Sequence, residues 1–107
     1  MAGSQQPPLS SWRGRAANGR QCYEIFRASP RLIIKAGEIL HDRFGFDPIV
    51  KPVIGADSVI TACTKGDLTL HLGWDNWSGF YVLAGSLAGD GAVDEFGDYL
   101  DSIFNDP

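Results

Sequence analysis

The sequence predicts an α+β domain: an antiparallel β-meander of three to five strands with two helices, about 30–44 and 92–104, packed on one face. Three observations carry this expectation. Ile33, Ala36, Leu40 and Phe44 recur at helical spacing between clear start and stop signals. Residues 67–74 alternate strictly, with Leu68, Leu70, Leu72 and Trp74 on one face and Thr69 and His71 on the other. A second helical stripe, Val93, Phe96, Leu100 and Ile103 with Phe104 beside it, closes the chain.

The elements follow in order. Residues 1–19 are rich in Gly, Pro, Ser and Gln and read as a flexible arm, with Trp12 the one side chain able to pin it. Residues 20–107 then form the single domain. Tyr23, Ile25 and Phe26 mark a short strand within 21–28. Ser29 suits an N-cap, and Pro30 suits the first helical position, where its missing N–H costs nothing. Leu32 and Ile39 widen the stripe of this helix, and Gly45 is placed to end it. Residues 48–54 are apolar but carry Pro48 and Pro52. Proline donates nothing to a ladder, so this segment is at best an edge strand. Gly55, Ala56 and Asp57 form a turn, and 58–64 a strand. Lys65, Gly66 and Asp67 reverse the chain into 67–74, and 75–79 turn it again into a strand over 80–84. Asp90 is placed to cap the final helix.

Length and composition set the limits. A chain of 107 residues suits one core, and 44% hydrophobic residues suffice to pack it. No apolar run approaches the roughly 20 residues of a membrane helix, and the N-terminus lacks a secretory pattern. A cytoplasmic protein without a membrane role is therefore expected, with Cys22 and Cys63 as reduced thiols unless the fold joins them. The net charge is −4 and unevenly placed. Residues 1–65 hold all nine basic residues and five acids, whereas 66–107 hold eight acids and no lysine or arginine. Such a balance disfavours nucleic acid and favours a basic partner, or serves solubility alone.

The chemistry-bearing patterns are weak. The segment from Gly89 to Phe96 is similar to the second half of a calcium loop, but the first, third and twelfth ligand positions fall on Ser86, Ala88 and Gly97. Cys63 and His71 resemble a thiol–imidazole pair, yet an even-length turn puts Cys63 with Leu70 and His71 on the opposite face. His41 near a helix C-terminus interacts with the dipole. The cysteines and histidines have no zinc spacing, and no phosphate loop is present. No catalytic residue, metal or cofactor is expected, and an enzyme using a sheet–helix cleft is the alternative to a binding protein.

Two surface features remain. In the stretch from Trp74 to Tyr81, four aromatic residues cannot all face one core, so Trp77 and Tyr81 are candidate binding residues. On the last helix, Asp94, Asp98 and Asp101 fall at i, i+4 and i+7, a stripe of like charges that weakens its own helix and hints at a partner. The aromatic hairpin and acidic helix together resemble, in style and without a shared motif, small bacterial immunity proteins that neutralise basic nuclease toxins. That resemblance implies an acidic inhibitor of a basic protein. A homo-oligomeric domain, formed through unprotected sheet edges, is the other expectation.

Overall fold

The computed structural model describes residues 11–55 and 57–104. Six strands, β1 (Ser11–Arg15), β2 (Gln21–Ile25), β3 (Asp47–Ile54), β4 (Ser58–Lys65), β5 (Leu68–Asp75) and β6 (Gly79–Ala84), form one sheet. The helices are α1 (Arg31–Phe44) and α2 (Asp90–Phe104), the second preceded by a 3₁₀ turn over Leu87–Gly89. The spatial order is β1-β2-β6-β5-β4-β3, and every neighbouring pair is antiparallel. Strands β3 to β6 are the expected meander. The β1–β2 hairpin extends it past β6, and α1 carries the chain from β2 to the far edge.

The strand count exceeds the expected three to five because of β1. Residues 11–15 belong to the segment read as a flexible arm, yet they pair with β2 from Ser11↔Ile25 to Arg15↔Gln21. Two arginines and a glycine in five residues hide the strand pattern, and the stabilising contacts come from α2, far away in sequence. Residues 1–10 of that arm lie outside the described residues, as does Ala56 of the expected turn. The proline-bearing segment is the opposite edge, β3, with register shifts between Pro48 and Val50 and between Val50 and Val53.

Local signals explain the rest. Helix α1 begins just after Pro30, whose φ of −61° is already helical, and the amides of Leu32 and Ile33 donate to the carbonyls of Ser29 and Pro30. It ends at Gly45, left-handed at φ 77°. Lys65 pairs with Leu68 across a two-residue turn, so the register is even. The leucine row therefore faces inward: Leu70 and Leu72 are buried with Tyr23, Ile25, Phe80 and Val82. Both helices pack on this face through Ile33, Ala36, Leu40, Val93, Phe96 and Leu100. They also meet each other, with Phe44 edge-on to Phe96 and Tyr99 at centroid distances of 5.8 and 6.0 Å. The α2 stripe stops short of expectation, since Ile103 is exposed. No described helix is long and apolar enough to cross a membrane.

Candidate functional site

The residues expected to form a site are divided by the sheet. Asp94, Asp98 and Asp101 lie on α2, beneath the helix-covered face, while Tyr81 alternates to the opposite, helix-free face. Trp77 sits in the turn between β5 and β6, 80% exposed. That turn is braced by Asp75, whose carboxylate accepts hydrogen bonds from the amides of Trp77 and Ser78. Trp74 instead closes the edge of the core, its indole donating to the Ala28 carbonyl at 2.6 Å.

The acidic stripe already has a cation. Arg13 of β1 reaches Asp98 at 2.8 Å and Asp101 at 3.0 Å, and lies 3.6 Å from Asp94. Gln21 donates to Asp94, and the Tyr23 hydroxyl donates to Asp101 at 2.6 Å. Asp90 accepts from the Gln21 amide at 2.9 Å, with Arg15 at 2.8 Å and Arg20 at 3.5 Å. Burial opposes ionisation of Asp101, but bonds from Tyr23, Ser11 and Arg13 hold its pKa below the ordinary value. The Gln21 amide and then the arginines do the same for Asp90. The like charges that weaken an isolated α2 thus dock it to the β1–β2 hairpin. Asp90 and Asp94, two acids of the calcium-like segment Gly89 to Phe96, are engaged in the same way.

Cys63 pairs with Leu70 and His71 with Ala62, so the thiol faces the core and the imidazole the helix-free face. The even turn makes this split. Cys22 lies on the helix-free face, apart from Cys63, and both thiols are free. Burial raises both to about 11, with Glu24 adding to the effect at Cys22. His41, in the last turn of α1, contacts Asp42 at 3.0 Å and Asp47 at 3.8 Å on the surface. Among the described residues, no group of three or more His, Cys, Asp or Glu is placed to hold a metal.

The helix-free face is where unassigned surface collects. A shallow concavity of about 480 Å³ lies on it, lined by Ile60, Ala62, His71, Tyr81 and Leu83 with Thr61 and Leu72. Ile60 is 52% exposed. Two glycines make room for aromatic rings on the same face. A β-carbon on Gly73 would run into the Tyr81 ring, and one on Gly14 into the Trp12 indole, so both rings lie over bare backbone. Glycine in a strand was the legible signal of these close approaches. Which face the rings occupy depended on register, which the sequence left open for β1 and β2. No protein-family model, curated protein or solved structure matches this chain.

Proposed function

We propose that this protein is a protein-binding module whose interaction surface is the helix-free face of its sheet, centred on Tyr81, with exposed Trp77 at one end. The observation that supports this most is the concavity of Ile60, Ala62, Tyr81 and Leu83, an apolar patch that neither helix covers. Exposed apolar surface of this kind marks interaction sites, and tyrosine and tryptophan are the residues that anchor them. Its shallowness suits side chains of a protein better than an enclosed small molecule. The acidic stripe of α2 contributes less to this reading. A basic partner reaching Asp98 or Asp101 competes with Arg13, which is already in contact with both.

The test compares affinity capture from a native lysate by the wild-type protein and by Leu83→Arg, with circular dichroism confirming that both are folded. A protein held by the wild type and lost by the variant supports the assignment. Equal capture by the two, or none by either, defeats it.

A further inference from the structure

One cross-strand row on the helix-free face runs Trp12, Glu24, Tyr81, Gly73 and Ile60. Directly opposed residues hold their Cβ atoms about 5 Å apart. Glu24 is therefore flanked in the row by Trp12 and Tyr81, whose rings lie over Gly14 and Gly73. Asp75 ends the same face on β5, two pairs beyond Gly73 and Tyr81. Burial, then the nearby Asp75 charge, raises the pKa of both Glu24 and Tyr81. Among the described residues, neither Glu24 nor Asp75 has an ion pair with a lysine or arginine.

The hairpin does carry cations, but Arg13 and Arg15 are committed to the acids of α2. Charge is thus sorted across the sheet. Arg13, Arg15 and Arg20 reach the aspartates of α2, while among the described residues Glu24 and Asp75 share the open face with two aromatic rings and with no paired lysine or arginine. We propose that the Trp12–Glu24–Tyr81 row binds an arginine side chain of a protein partner, with an adjoining apolar side chain seated against Ile60 and Leu83. A guanidinium pairs with a carboxylate through its planar fork and stacks on aromatic faces, and this row offers both partners side by side. The inference rests on the helix-free face being the interaction surface and adds the chemistry of the ligand.

The experiment titrates ¹⁵N-labelled protein with the peptide acetyl-Leu-Arg-Leu-Arg-Leu-amide, and with versions carrying citrulline or glutamate for arginine. The arginine peptide is expected to shift the Trp12 indole N–H and the amides of Glu24 and Tyr81, binding about five-fold tighter than the citrulline peptide. Glu24→Gln removes most of that difference, and Trp12→Leu gives the same loss by an independent change. Equal binding of the arginine and citrulline peptides overturns the arginine site while leaving the face as an interaction surface. No shift on the face with any peptide overturns both. Shifts of the same resonances with protein concentration alone identify a second copy as the occupant and overturn the site.

Discussion

Arg13, on the outermost strand β1, contacts three aspartates of α2. It is a partly exposed cation, with its side chain 29% accessible, so its contribution is limited by solvent screening. Arg13→Met is expected to cost about 1 kcal/mol in urea unfolding, and added salt should narrow the gap to the wild type, because salt screens the repulsion left among Asp94, Asp98 and Asp101. The acid limb of stability has a defined sign. Asp90 and Asp101 have folded pKa values below their ordinary ones, so their contribution is present above about pH 4 and lost as pH falls through the folded values. Glu24 acts oppositely, since its raised value makes protonation favour the fold. Asp101→Asn should therefore lower stability at pH 7, with the gap to the wild type narrowing as pH falls below about 4, read from thermal melts across pH. Cys22 and Cys63, both raised to about 11 and buried, should resist iodoacetamide at pH 7 in the folded protein and react promptly in urea. Fast labelling of either in the native state would contradict this packing.

At the scale of elements, the turn between β5 and β6 is fixed by backbone as well as by Asp75. Gly79 has φ 83°, and a β-carbon there would meet the carbonyl oxygen of Ile25, a group that cannot swing aside. Gly79→Ala is expected to cost about 2 kcal/mol or more. Gly73→Ala meets only the far end of the Tyr81 side chain, which can rotate away. It should cost under about 1 kcal/mol while moving the Tyr81 ring, visible as changed ring resonances. The pair separates a glycine required by the backbone from one that makes room for a ring. Helix α2 shows the same division. Its apolar stripe is buried at Val93, Phe96 and Leu100, but its polar face is set by strand β1 rather than by solvent.

For the whole molecule, a six-stranded sheet covered by helices on one side leaves a broad second face, which carries the proposed interaction surface. Leu83→Lys there should change stability by less than about 0.5 kcal/mol in urea unfolding, since it removes no core contact. A large loss would mean that the face is structural. The sequence by itself determined α1, the β3 to β6 meander, the edge position of the proline-bearing strand, the inward leucine row and the separation of Cys63 from His71. These follow from short-range rules of spacing, capping and turn length, which residues a few positions apart satisfy together. Tertiary structure alone decided that Ser11–Arg15 is a strand, that Arg13 contacts the acidic stripe, and that Trp12, Glu24 and Tyr81 form one row. Arg13 and Asp101 lie 88 residues apart, and Glu24 meets Tyr81 only through the β2–β6 pairing. No local periodicity encodes such a pairing. It is set by which edge of the sheet is free when the helices have covered the other face.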